Sequence, residues 1–203
     1  MPDNYTKNFN LIAGNESRFA RRVIYQMRAQ HPPPVWHNLI PFKFLIEYIR
    51  IRRAIRTFEN NAMVIRKLAL GAARSIQDGE NHEKVHLDMD ETIKTWLQEN
   101  ELFLQTIYDA QIALAQNFEA HYARLLKTEG KNYATLIKSV YPIPPRYREF
   151  LEGIAETEKQ VDDSVCETIS NDDKERQECE TRMKNKQRAF SKAREIELQQ
   201  VYA

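Results

Sequence analysis

The string His82-Glu83-Lys84-Val85-His86 carries the residue types and the spacing of a catalytic zinc site. On a helix, residues four apart lie on one face, so His82 and His86 could bind one zinc ion together. Glu83 between them could then act as general base on a water molecule bound to the metal. The string therefore predicts, as one alternative, a zinc-dependent hydrolase.

Over these five residues only, the string resembles the zinc metalloproteases of the thermolysin type. The resemblance implies that His82 and His86 are metal ligands and that Glu83 is the base. It identifies no third ligand, because carboxylates are abundant in the chain and the spacing selects none of them. The carboxylates available downstream are Glu91, Glu99 and Glu101.

The surroundings of the string favour a different interpretation, a solvated connector that spells the motif by chance. Residues 78–81 read DGEN, which is typical of a turn. Lys84 places a positive charge where the helix of a buried active site would carry an uncharged residue, and no strand pattern supplies a sheet edge for substrate. We therefore expect a protein without catalytic residues or a cofactor as the first interpretation.

Composition and periodicity predict an all-α fold around this string. Apolar residues make up 42% and charged residues 29% of the chain, close to the averages of globular proteins. The five glycines are few for a β protein and too scattered for a phosphate-binding loop. From residue 41 to about 78, apolar residues are spaced alternately by three and four, which predicts one long helix that ends at Asp78 and Gly79. These apolar residues are Tyr48, Ile51, Ile55, Phe58, Ala62, Ile65, Ala69, Ala72 and Ile76.

The same alternation predicts a second long helix from residue 88 to residue 128. Two helices of equal length joined by a connector of about ten residues favour an antiparallel hairpin over residues 41–130. Three polar residues fall on the apolar stripe of the second helix, where such residues more often fix helix register than perform chemistry. They are Asn100, Gln111 and His121.

Shorter elements are predicted on both sides of this hairpin. Residues 1–40 are expected to form a basic helix that starts at Asn15, followed by a proline-rich connector. Residues 131–203 are expected to form helices that pack on the hairpin, beginning with a short helix at 132–140. Capping residues from Ser170 to Asp173, together with Glu175, predict that the chain turns back there. The predicted architecture is one elongated antiparallel helical bundle in a single overall domain.

The two cysteines are predicted to be free thiols. The N-terminal sequence MPDNYTKNFN lacks the layout of a secretory signal, which predicts a cytoplasmic protein, where disulfides are rare. On one helix, the 13-residue spacing between Cys166 and Cys179 would separate them by ~20 Å, which is too far for a bridge.

Charge is distributed unevenly along the chain, although the net charge is only +1. Residues 1–74 carry a formal charge of +9, residues 75–130 carry −7, and residues 131–203 carry −1. The favoured interpretation is that basic and acidic helices pair inside the bundle. The alternative is an anion-binding N-terminal third, including a nucleic-acid-binding one. Nucleic acid is less favoured, because the arginines crowd around the helix and form no base-reading face with aromatic residues.

Residues 35–49 combine aromatic and branched side chains with the arginines that follow them, a combination typical of a helix at an anionic membrane surface. This segment cannot span a bilayer, which needs ~20 apolar residues, because it contains Pro41, Lys43 and Glu47. The favoured interpretation is that its aromatic residues cap one end of the bundle while the arginines pair with the acidic second helix. The residues predicted to contact an anionic surface are Trp36, Phe42, Arg50, Arg52, Arg53 and Arg56.

Three segments, PPPVWHNLIPF, RKLALGAA and HYARLLKTEGKNY, precede a charged helical tail. Together they resemble an uncharacterised family of all-helical bacterial proteins, and the resemblance covers most of the chain. It implies a helical bacterial protein, and it brings no activity and no site residues.

We therefore predict a non-enzymatic helical interaction or scaffolding protein. It would present charged helical faces to a protein partner or to itself, in the cytoplasm or at the inner surface of a membrane. The apolar stripe thins along the C-terminal helix, which predicts a surface for homodimerisation by coiled-coil pairing.

Overall fold

The computed structural model describes residues 4–30, 52–56, 58, 63–169 and 172–203. These residues form α-helices joined by turns and bends, with no strand among them. The prediction of an all-α fold is confirmed. The helices are α1 (Asn4–Gln30), α2 (Val64–Gln77), α3 (His82–Glu99), α4 (Gln105–Lys127), α5 (Tyr133–Val140), α6 (Pro144–Ile169) and α7 (Asp173–Tyr202).

The first helix is longer than predicted, because α1 begins at Asn4 and not near Asn15. In the first turns of α1, a buried position is occupied by a polar residue. Asn8 is fully buried, and its side-chain amide donates to the backbone carbonyl oxygen of Leu126 over 3.0 Å. The side-chain nitrogen of Asn8 donates to backbone carbonyl oxygens, whereas its Oδ1 has no partner among the described residues. Because a polar residue occupies this buried position, the apolar periodicity did not predict these turns.

The predicted helix over 41–78 is described only in part. Residues 52–56 and 58 are helical, whereas 41–51 lie outside the described residues. The helix α2 begins at Val64, with Met63 as its N-cap residue. Its predicted end is confirmed, because Gly79 follows Asp78 with a φ of +93°, a left-handed conformation that glycine adopts without steric cost.

The prediction of one helix over 88–128 is wrong, because α3 and α4 are separate helices. The chain leaves α3 through a Schellman motif, in which the amide of Leu102 donates to Leu97 over 2.9 Å and the amide of Glu101 donates to Gln98 over 3.1 Å. Glu101 takes the left-handed position, with a φ of +57°, that glycine most often occupies. Without a glycine or proline at the break, the apolar spacing continued across it and masked it.

The break also overturns the predicted pairing of two long helices. The helix α3 folds back on α4, whereas α2 and α4 run in the same direction. Arg66, near the start of α2, lies 4.4 Å from the ring centroid of Phe118, and Arg74, two turns later, lies 4.7 Å from that of Phe9. Phe9 neighbours Asn8, which binds the end of α4. The start of α2 therefore lies beside the middle of α4, and the end of α2 lies near the end of α4.

The C-terminal region forms an antiparallel hairpin of α6 and α7, as the capping residues predicted. Asp172 is the N-cap residue of α7, and its carboxylate accepts a hydrogen bond from the amide of Glu175 over 2.8 Å. The turn places Cys166 and Cys179 on facing helices with a Cα–Cα distance of 5.6 Å, and they form a disulfide. The prediction of free thiols is wrong, because it assumed one continuous helix between them.

One hydrophobic core takes side chains from all seven of these helices. Buried residues of this core include Ile12, Ile65, Met89, Phe118, Leu136, Ile154 and Leu198. Among the described helices, none is long and apolar enough to cross a membrane.

Charged side chains also enter the interior. The guanidinium group of Arg66 lies against the rings of Phe19 and Phe118 and donates to Glu16 over 2.9 Å. Glu158 of α6 accepts hydrogen bonds from both Arg66 and Arg194. The buried arginine of the basic N-terminal third therefore pairs with Glu16 and Glu158, neither of which lies in the acidic middle of the chain.

Candidate metal centre

The string at residues 82–86 opens the helix α3, so its prediction as a connector is wrong, although its first three residues are solvent-exposed as predicted. Asn81 is the N-cap residue, and its side-chain oxygen accepts a hydrogen bond from the amide of Lys84 over 3.1 Å. This cap starts the helix at His82, immediately after the turn that closes α2. The two histidines therefore lie one helical turn apart on a common face.

The imidazole rings of His82 and His86 are in contact, with their centroids 4.6 Å apart. His82 is exposed, whereas the side chain of His86 keeps one third of its accessible surface. Val85 and Met89, which flank His86 on the helix, are buried in the core. Because this apolar face packs inward, it draws His86 toward the neighbouring helix α4.

Glu119 of α4 faces this pair of histidines. It is 92% buried, and its Oε2 lies 3.7 Å from Nε2 of His86. One ligand atom from each of His82, His86 and Glu119 can be chosen so that all three lie within 4.8 Å of one another. Two imidazoles and a carboxylate from two helices thus converge on one point.

Nε2 of His86 is buried and makes no hydrogen bond with any residue that the structure describes. A buried ring nitrogen without a partner costs free energy, and a metal ion would supply the missing partner. Ligands about 2.1 Å from a tetrahedral zinc ion lie about 3.4 Å apart, so modest rotations of the side chains would bring these atoms into coordination. The donor set His₂Glu is one that zinc uses in hydrolytic enzymes.

Sequence reasoning missed Glu119 because it predicted a continuous helix. Along one helix, Glu119 would lie ~50 Å from His86. In the structure, His86 lies 13 residues before the end of α3 and Glu119 lies 14 residues after the start of α4. The break between the helices therefore brings them opposite each other. The other glutamates considered as ligands or base are exposed and lie outside this group: Glu83, Glu91, Glu99 and Glu101.

The three polar residues predicted on one apolar stripe differ in burial. Asn100 is exposed and caps the end of α3, so its predicted core position is wrong. Gln111 and His121 are buried on α4. Nδ1 of His121 lies 2.9 Å from the hydroxyl oxygen of Tyr141, and burial, followed by the charges of Arg124 and Arg66, lowers the pKa of His121 to about 3. His121 is therefore a neutral, hydrogen-bonded core residue.

The predicted anionic-surface residues are described only in part. Arg52, Arg53 and Arg56 are exposed on the short helical stretch 52–56. Trp36, Phe42 and Arg50 lie outside the described residues, so the surface that the six residues would form stays a prediction.

Comparisons with known proteins add no relative to this description. No family model, curated protein or solved structure matches the chain. The resemblance to an uncharacterised bacterial family therefore stays a prediction, and the geometry of the site is the basis for a functional proposal.

Proposed function

We propose that the protein binds one divalent transition-metal ion, in the first place Zn²⁺, through His82, His86 and Glu119. The convergence of these three ligand atoms from α3 and α4 carries the proposal. The unpartnered Nε2 of His86 supports it, because a bound metal would satisfy that atom. The ligands are held by helices that pack in the core, which limits how far they move before the metal binds.

Among the described residues three ligands converge, and three protein ligands leave one position of a tetrahedral zinc ion for water. Structural zinc sites close all four positions with protein ligands, whereas catalytic sites keep one open. A zinc-bound water has a pKa near 7 and becomes a nucleophile at neutral pH. This count favours hydrolysis as the activity of the site, with the exposed Glu83 beside His82 as the candidate base.

Metal content and zinc titration test the binding proposal. We expect the full chain, purified without added zinc, to retain close to one zinc per molecule. His86→Ala and Glu119→Gln should lose it. Glu91→Gln, on the exposed face of α3, is the matched control and should keep it. Absence of zinc together with no binding of added Zn²⁺ at micromolar concentration, or a Glu119→Gln variant that binds as tightly as the original, would refute the proposal.

Glu83→Gln separates metal binding from hydrolysis. We expect this variant to retain zinc, because Glu83 lies outside the ligand group. If the site hydrolyses esters or peptides, the activity of the zinc-loaded protein on an activated ester should fall in this variant without loss of metal. If the zinc-loaded protein shows no such activity, the metal-binding proposal stands and the hydrolase proposal is refuted.

Two observations bear on the interaction role and on the cellular location that the sequence predicted. The apolar residues Phe190, Leu198 and Val201 of α7 are buried inside the bundle, and homodimerisation through this helix stays a prediction. The disulfide between Cys166 and Cys179 favours an oxidising compartment over the cytoplasm, because the reducing conditions of the cytoplasm keep cysteines in the thiol form.

A further inference from the structure

A pocket between α1, the start of α5 and the end of α7 contains hydrogen-bond donors that lack acceptors. Its volume is about 350 Å³, within the range of ~300–1,000 Å³ typical of small-molecule sites. It lies apart from the metal ligands, none of which lines it. The side chains of α1 that line it are Asn15, Arg18 and Arg22.

Two of these donors are buried without a partner. Asn15 is 4% exposed, and its Nδ2 makes no hydrogen bond within the described part of the chain. Arg22 uses Nη2 to donate to the side-chain oxygen of Gln200, but its Nη1 is buried and has no acceptor among the described residues. Buried N–H groups without acceptors are costly, so each of them favours a ligand with oxygen atoms at this place.

Two further features add positive potential to the pocket. Arg18 forms no hydrogen bond or ion pair with any residue in the described part of the chain. Tyr133 and Ala134 occupy the first two positions of α5, where backbone N–H groups have no partner within the helix and the helix dipole is positive. Asn132 caps only the amide of Thr135, which leaves these two donors available.

One carboxylate, Glu197, also lines the pocket. Its Oε1 accepts hydrogen bonds from the hydroxyl groups of Tyr147 over 2.6 Å and Tyr133 over 3.1 Å. This carboxylate oxygen is therefore already engaged by two tyrosine hydroxyl groups. Two arginines and a helix N-terminus therefore face one engaged carboxylate. Among the residues that line the pocket, the balance of charge is positive.

We propose that this pocket binds a phosphate group, free or carried on a small molecule. Arginine N–H groups match phosphate oxygens in two-point contacts, and helix N-termini bind phosphate through backbone amides. The phosphate oxygens would accept from Arg22 Nη1, Asn15 Nδ2 and the amides that open α5. The volume leaves room beside the phosphate for a few further heavy atoms.

Calorimetric titration of the full chain with inorganic phosphate and with glycerol 3-phosphate, at constant ionic strength, tests the proposal. We expect saturable binding of at least one of them. Tighter binding of glycerol 3-phosphate would mean a carried phosphate, and tighter or equal binding of inorganic phosphate would mean a free one. Arg22→Gln should weaken binding at least tenfold, and Arg18→Gln should weaken it several-fold.

Arg21→Gln is the matched control, because Arg21 is an exposed arginine on the same helix that does not line the pocket. It removes the same charge and should bind phosphate as the original chain does. Thermal unfolding by circular dichroism confirms that each variant is folded, and Arg18→Gln remains informative if Arg22→Gln unfolds. No binding of either probe at millimolar concentration, or equal weakening by Arg21→Gln, would overturn the proposal.

Discussion

His86 and Glu119 lie on different helices, with Nε2 and Oε2 3.7 Å apart. This distance is too long for a hydrogen bond, and it is close to the separation of two ligand atoms that bind the same metal ion. Because one residue belongs to α3 and the other to α4, a metal ion at this point would join the two helices.

Zinc should therefore stabilise the folded chain. A ligand that binds only the folded state at 100 times its dissociation constant raises the free energy of unfolding by about 2.7 kcal/mol. We expect an increase of this size in urea unfolding of the protein with zinc at that concentration. The His86→Ala variant should show no increase. A similar increase in both proteins would place the zinc elsewhere.

The carboxylate of Glu158, whose side chain is 15% exposed, should contribute strongly to stability. Its partners Arg66 and Arg194 are each 7% exposed, so Glu158→Gln would leave two buried guanidinium groups without this counter-charge. Loss of one partner from a buried ion pair costs about 3 kcal/mol, which urea unfolding would measure. Glu195→Gln is the control, because its pair with Arg148 is about half exposed and should contribute under about 1 kcal/mol. Equal effects of the two variants would contradict this account.

The same carboxylate should make stability depend on pH. Burial alone would raise the pKa of Glu158, but the charges of Arg194 and Arg66 outweigh it, and the pKa is lowered from its usual 4.5. A lowered pKa in the folded state gives stability that is complete above the unfolded value and is lost as the pH falls below about 4.5. In unfolding measured between pH 6 and pH 3, Glu158→Gln should therefore lose less stability on acidification than the original chain.

The disulfide between Cys166 and Cys179 should stabilise the hairpin of α6 and α7. Bridging residues 13 apart removes unfolded-state entropy worth about 3 kcal/mol. We expect reduction to lower the free energy of unfolding by about 2–3 kcal/mol and to add two hydrogen atoms to the intact mass. In a variant with both cysteines replaced by alanine, a reducing agent should change neither quantity. A chain that oxidation leaves unchanged in mass would show that the bridge does not form.

Two glycines should respond to alanine in opposite directions. Gly79 has a φ of +93°, so Gly79→Ala forces a side chain into a left-handed conformation and should cost about 1–2 kcal/mol. Gly71 lies within α2, and a Cβ there would meet nothing within 4 Å. Gly71→Ala should therefore stabilise the helix by up to about 1 kcal/mol. Thermal unfolding of the two variants measures the contrast.

Local patterns predicted the all-α class and the helix ends that carry a marker residue, whereas the chain reversal without a marker residue was missed. Gly79 and Asp172 mark their turns by residue type, so the ends of α2 and α6 could be predicted. The reversal at Glu101 carries no such marker, because a glutamate occupies the left-handed position. That single omission merged α3 with α4.

The prediction of the candidate site was incomplete for the same reason. The histidine pair could be found from a spacing of four, because that spacing is local to one helix turn. Glu119 depends on how two helices pack, which the sequence does not encode within any short window. The disulfide was missed for a related reason, since its geometry was judged along a continuous helix although the capping residues before Asp173 had already indicated a turn.

The chain reversal at Glu101 makes the proposed ligand triad sensitive to insertions and deletions. Each residue of an α-helix turns its successor by about 100° and advances it by about 1.5 Å. One residue added within α4 before Glu119 would point that carboxylate away from both imidazoles, even if every side chain of the triad were retained. Point substitutions on the outer face of the same stretch would be harmless to the triad, so chain length in this stretch is the stricter requirement.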